Sequence, residues 1–109
     1  MANTFKLKTK ANVGVTTVGI YTAPAATTTV VIGITMANTS GSGVNVGVGI
    51  TRAGTTEDVK LLKNAPIPQG SSLEIMSGNK IVLEATDTVT VDSDTNNSVD
   101  AALTIMEIT

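Results

Sequence analysis

The chain has 109 residues, a formal net charge of −2 and only 15% charged residues; 41% of it is hydrophobic, yet its only aromatic residues are Phe5 and Tyr21. Histidine, cysteine and tryptophan are absent. This removes the side chains that carry most nucleophilic, acid–base and transition-metal chemistry near neutral pH, together with any disulfide framework. A single domain spanning 1–109 follows from the length, with a core of small aliphatic side chains, and the charge balance argues against a nucleic-acid partner.

In chain order, 4–20 holds one longer strand or two short ones around Gly14. Its first part, 1–12, is also a candidate N-terminal arm in which Phe5, Lys6, Lys8 and Lys10 would make a contact by strand addition. The stretch 22–29, low in complexity, reads as an extended connector. Val30, Ile32, Ile34 and Met36 alternate with Val31, Gly33, Thr35 and Ala37, and Val44, Val46, Val48 and Ile50 alternate with Asn45, Gly47, Gly49 and Thr51. Both patterns have the period of two of a β-strand. Shorter alternations follow around Val59 and Leu61, Leu73 and Ile75, Ile81 and Leu83, and Val89 and Val91.

Turn chemistry fills the gaps: Ser40-Gly41-Ser42-Gly43, Ala53-Gly54-Thr55-Thr56, a tight hairpin at Ser77-Gly78-Asn79, and a polar turn over 92–97. Pro66 and Pro68 lack amide donors, so 65–70 reads as a crossing loop. In the last run, 99–108, Ala101, Leu103 and Ile105 fall on one face and Ala102, Met106 and Ile108 on the other. Such a strand is either central between layers or covered on one face by another copy. No segment keeps a helical period, and seven or eight short strands point to an all-β fold, an antiparallel, jelly-roll-like β-sandwich. The start of the chain lacks a signal-peptide pattern, and no apolar run approaches about 20 residues, so synthesis in a cytoplasm without a membrane partner is expected.

Candidates for chemistry fall short one by one. Asp92-Ser93-Asp94-Thr95-Asn96 opens like a calcium loop, but Asn97 and Leu103 stand where glycine and a bidentate glutamate are needed. The G-x-G pairs at Gly41/Gly43 and Gly47/Gly49 precede no helix, so they are not a dinucleotide fingerprint. Gly47 and Gly49 instead imply close approach of another strand, loop or subunit. Glu57, Asp58, Glu74 and Glu84 are available as paired carboxylates, but a sugar cleft with aromatic platforms has almost nothing to be built from. No catalytic residue, cofactor or metal is expected. The interface candidates are Phe5, Lys6, Lys8, Lys10, Leu103, Ile105, Met106 and Ile108.

Several ordered segments carry a resemblance: Tyr21-Thr22-Ala23-Pro24, Val31-Ile32-Gly33-Ile34, Ala37-Asn38-Thr39, Pro66-Ile67-Pro68-Gln69-Gly70-Ser71-Ser72-Leu73, Lys80-Ile81-Val82-Leu83-Glu84-Ala85, Val99-Asp100-Ala101 and Glu107-Ile108-Thr109. The chain resembles small virion structural proteins of tailed bacteriophages, especially those of marine and cyanobacterial phages. The resemblance implies a non-enzymatic component of a virion, present in many copies. A head decoration (cement) protein on the capsid surface fits best, self-associating as a homotrimer and binding the major capsid protein. A tail, neck or baseplate component is the alternative, with a receptor- or glycan-binding fibre module as the rival binding role and a carboxylate-based hydrolase as the enzyme rival.

Overall fold

The computed structural model describes residues 3–54, 57–76 and 80–109. The hairpin read at Ser77-Gly78-Asn79, and Thr55 and Thr56 of the second turn, lie outside the described residues. Among the described residues there are nine strands and no helix: β1 (Asn3–Val13), β2 (Val18–Thr22), β3 (Thr28–Asn38), β4 (Val44–Arg52), β5 (Glu57–Ile67), β6 (Ser72–Glu74), β7 (Ile81–Leu83), β8 (Thr88–Ser93) and β9 (Val99–Ile108).

All pairings are antiparallel. One sheet runs β1-β9-β3 and is completed by β6 and β7, which both lie along the far side of β3; the other runs β2-β8-β4-β5. Taking β6 and β7 as one interrupted strand, the partners are first with last, second with second-last, third with third-last, and the two middle strands together. That nesting is the jelly roll. Its contacts are mostly distant in sequence, as expected when strands pair with their mirror positions in the chain.

The alternation in β4 is carried into the structure: Val44, Val46, Val48 and Ile50 are buried between the sheets. They meet Val89 and Val91 of β8, and Leu103 and Ile105 of β9 face the same core. With no aromatic ring except Tyr21, the core is a sum of aliphatic burials of about 1.5–3 kcal/mol each.

In β3 the expected faces do not hold. Between Val31 and Gly33 the register against β9 shifts by one residue at Ile32. A strand gains one residue at such a bulge and its faces exchange. Val31 is therefore buried on the same side as Ile34 and Met36, while Val30 points outward beside Met106.

The reading of 65–70 as a crossing loop also needs correction, because β5 continues through Pro66 to Ile67 opposite Asn45 and Val44. Proline is tolerated there because β5 is an edge strand with no neighbour on its outer side. Two register shifts against β4, and Asn64 at φ 54°, twist this edge, which discourages pairing with another chain. The shifts also leave Leu61 and Leu62 both half-buried.

Two polar clusters hold the ends of the sandwich. Buried Asn38 donates to the carbonyls of Ser42 (2.8 Å) and Ile67 (2.9 Å), and its Oδ1 accepts from the amide (2.8 Å) and hydroxyl (2.7 Å) of Ser40. The amide is fully used, as burial requires. At the other end Arg52 pairs with Glu84 and, at 3.0 Å, with buried Asp87, whose carboxylate also accepts the Glu84 amide at 3.0 Å. This pins the turn between β7 and β8 to the end of β4.

Candidate functional site

Paired residues in an antiparallel sheet project to the same side, so the register defines the outer face of the β1-β9-β3 sheet. One row across it is Phe5, Met106, Val30 and Val82. The next contains Leu7, Thr104 and Gly33; the row after that contains Thr9, Ala102 and Thr35. Asn3, Ile108 and Thr28 form the row at the opposite margin. None of these positions is charged. Phe5 is 68% exposed, Leu7 65% and Val82 60%. Glu74 closes one side of the face, but its carboxylate is spent locally: it accepts the hydroxyl of Thr35 at 2.7 Å and the amides of Ile34 and Met76 at 3.2 Å. These hydrogen bonds, that of Thr35 foremost, hold its pKa below the usual carboxylate range.

The outer face of the other sheet has the opposite character. It carries Thr88, Thr90 and Asp92 on β8, Asn45 and Thr51 on β4, and Asp58 and Lys60 on β5. Hydrogen bonds join these groups to one another and to flanking residues: Thr51 to Asp58 (2.9 Å), Thr17 to Asp92 (2.9 Å) and Thr22 to Thr88 (2.9 Å). One outer surface of the sandwich is thus polar and charged, while the other is largely uncharged and apolar around Phe5, Leu7, Val30, Val82 and Met106, with Glu74 and Asp100 toward its margin.

Strand β1 is inverted relative to an ordinary surface strand. Lys6, Lys8 and Lys10 pair with Ile105, Leu103 and Ala101, so the lysines project on the core side, at the sheet edge, while Phe5 and Leu7 project outward. Core-side charges on an edge strand deter edge-to-edge pairing. From Asn3 to Lys10 the segment read as a candidate arm is paired along β9 as part of the sheet.

The eight expected interface residues therefore separate into three groups. Phe5, Met106 and Ile108 share the outer face; Lys6, Lys8 and Lys10 line the inner side of the edge; Leu103 and Ile105 are fully buried in the chain's own core. The sequence reading missed Leu7, Val30 and Val82 on the outer face. For Leu7 the signal was present, since it lies two residues from Phe5.

Glu107 was also missed. Continuing the period of two from Leu103 and Ile105 points it inward, where it is buried. Its carboxylate accepts the Tyr21 hydroxyl at 2.6 Å and pairs with Lys6 at 2.9 Å, and Tyr21 also meets Thr29 at 2.8 Å. Burial, then the bond to Glu107, pushes the Tyr21 pKa up to about 12. The Tyr21 and Lys6 hydrogen bonds hold that of Glu107 below its usual value. The folded pKa lies below the unfolded one, so the stability Glu107 contributes is complete above about pH 4.3. It is lost as pH falls through the folded value. Thermal melts are expected to show a falling Tm below about pH 4.3. Glu107→Gln should be less stable at pH 7 by about 1–2 kcal/mol and show a shallower acid slope. An unchanged slope in that variant would remove Glu107 from the acid response.

Of the four carboxylates considered for hydrolysis, Glu74 bonds Thr35 within β3, Glu84 pairs with Arg52, and Glu57, opposite Arg52, and Asp58 begin β5 in the other sheet. Of the segment read as a polar turn over 92–97, Asp92 and Ser93 belong to β8; Asp92 accepts from Thr17, and Asp94 accepts the amide of Asn45 at 3.1 Å. No group of three or more Asp and Glu among the described residues is placed to hold a metal ion.

No protein-family model matches the chain, and no curated protein matches it. Solved structures do. A pilus protein of Bacillus endospore appendages is 15% identical with a TM-score of 0.57, over 99% of this chain and 87% of that one. A chain of the cyanophage Pam1 capsid asymmetric unit is 17% identical with a TM-score of 0.57, over 95% of this chain and 85% of that one. The VP2 protein of infectious bursal disease virus is 15% identical with a TM-score of 0.61, over 96% of this chain but only 31% of VP2. At these identities the likeness is one of fold: this chain has the β-sandwich also used by viral capsid and pilus proteins.

Proposed function

We propose that the chain is a non-enzymatic structural subunit of a phage particle, in which it works by covering its apolar sheet face against other protein. The observation that carries this is the contrast between the two outer faces: Phe5, Leu7, Val30, Val82 and Met106 on one, threonines and charges on the other. A monomer in water gains nothing from a broad apolar face, whereas each 100 Å² of it removed from water contributes about 2.5 kcal/mol. The fold shared with a cyanophage capsid chain supports a place in a particle.

Within the particle, a head decoration (cement) role is the reading we favour: many copies bind the major capsid protein on the capsid surface, and weak contacts repeated over a shell add up. Homotrimers at local symmetry axes are what the resemblance implies for such a protein, and the apolar face supports self-association of some order. A tail, neck or baseplate position is the second reading, favoured by the fold shared with a pilus subunit. A glycan-binding tip has less support, since Tyr21 is buried and Phe5 is left as the one exposed aromatic ring.

Immunogold labelling of intact virions with an antibody to this chain tests the reading. Gold over the whole head is expected. Gold confined to one pole would move the subunit to the neck or tail, and unlabelled accessible particles would overturn the virion role.

A further inference from the structure

The apolar face has relief as well as chemistry. Near the start of β1, Phe5 and Leu7 stand out from it as a ridge. Toward the other end of the same strands lies a shallow hollow of about 330 Å³, bordered by Thr9, Ala11, Thr35, Ala37, Asp100 and Ala102. Its lining is mostly alanine methyl groups and short threonines, with Asp100 of β9 beside Ala37 and Lys10 at the edge. Phe5 and Ala11 are six residues apart on one strand, about 20 Å.

We propose that this face packs on the same face of a second copy of the chain. The two-fold axis lies in the interface and crosses the strands near Lys8. Under that operation β1 of one copy lies antiparallel over β1 of the other, and Phe5 of each copy settles over the hollow between Ala11, Ala37 and Ala102 of its partner. Such a contact is isologous: one patch carries both the ridge and the hollow, and each is used twice.

Area supports a second copy as the occupant. β1, β9 and β3, with β6 and β7 alongside, span about 19 Å at normal strand spacing, and the paired length is about 30 Å. That plane of about 570 Å², increased by side-chain relief, approaches the roughly 800 Å² per partner of a stable interface. Charge agrees over most of the face: the outward positions Asn3, Phe5, Leu7 and Thr9 and their partners on β9 and β3 carry no ionic group that would lose water, and Asp100 at the hollow keeps the Asn12 amide as a partner at 3.0 Å. The rival self-contact, edge to edge along β1, would set the lysine rows of two copies side by side and is disfavoured. The pair stands on the face alone and holds whether or not the subunit rides on a phage head; it replaces the trimer implied by the resemblance.

Sedimentation of the full chain tests it. The wild type is expected to be a dimer at micromolar concentration. Phe5→Asp on the ridge and Ala102→Asp in the hollow should each weaken dimerisation about 30-fold or more. Lys60→Glu on the polar face should leave it unchanged. Circular dichroism should show both face variants folded, since Phe5 is exposed and Ala102 half-exposed in the single chain. A monomeric or trimeric wild type would overturn the pair, as would dimers that survive either face variant. A monomeric chain whose antibody still labels the whole head would overturn the pair and keep the particle role.

Discussion

Leu103→Asp is expected to yield no folded protein. Leu103 is fully buried at the middle of β9, between Lys8 of β1 and Ile34 of β3, with the opposite sheet over it. An unpaired carboxylate there costs more than about 4 kcal/mol, a large part of the 5–15 kcal/mol that holds a domain of this size together. Leu103→Ala removes only packing and is expected to cost about 2–5 kcal/mol, leaving a folded but weakened chain. Thr104→Asp, one residue on and exposed on the other face of the single chain, should change the stability of the single chain by about 0.5 kcal/mol or less. Circular dichroism with urea titration ranks the three. A cooperative unfolding transition for Leu103→Asp near that of the wild type would mean that β9 does not hold the centre of the sheet.

The same strand shows how far the sequence could be read. The two faces of 99–108 were legible because nothing interrupts the period from Val99 to Ile108, and the same is true of β4 from Val44 to Ile50. The class of fold followed from many such short runs. What escaped the sequence was set by neighbours. Ile32 gives no local sign that β3 bulges there, since the bulge is a relation to Thr104 and Ile105 across the sheet. Pro66 reads as a strand breaker unless β5 is known to be an edge. Lysines at 6, 8 and 10 read as a solvated or contact face. Only the pairing with β9 reveals that they share the core side and that Phe5 and Leu7 are the exposed pair. Leu103 and Ile105 drew attention as interface residues through their hydrophobicity, which a core position explains as well. A candidate site made of a sheet face is thus hard to read before register is known, because register alone decides which half of each strand looks out.

Gly49→Val provides the sharpest test of a backbone contact in the fold. On strand propensity the change should help, since valine fits a pleated strand and glycine weakens one. The structure predicts the reverse. A Cβ on Gly49 would sit 2.9 Å from the carbonyl oxygen of Val59 and 3.2 Å from the Thr90 hydroxyl. The Val59 carbonyl belongs to the backbone of β5, just beyond the register shift that brings Lys60 opposite Gly49, and it cannot swing aside as a side chain can. Gly49→Ala is therefore expected to cost about 1–3 kcal/mol and Gly49→Val more, through forced displacement of β5. Gly47 separates the two explanations. Its Cβ would meet Asp92 Oδ1 at 2.5 Å, a closer approach, but the obstacle is a carboxylate that can rotate away by giving up the Thr17 hydroxyl. Gly47→Ala should then cost less than Gly49→Ala despite the shorter distance, and Gly41→Ala, with open space around it, should cost little. Urea midpoints of the set decide the matter: equal costs at 47 and 49 would locate the constraint in β4 itself, whereas a larger cost at 49 assigns it to the carbonyl of Val59.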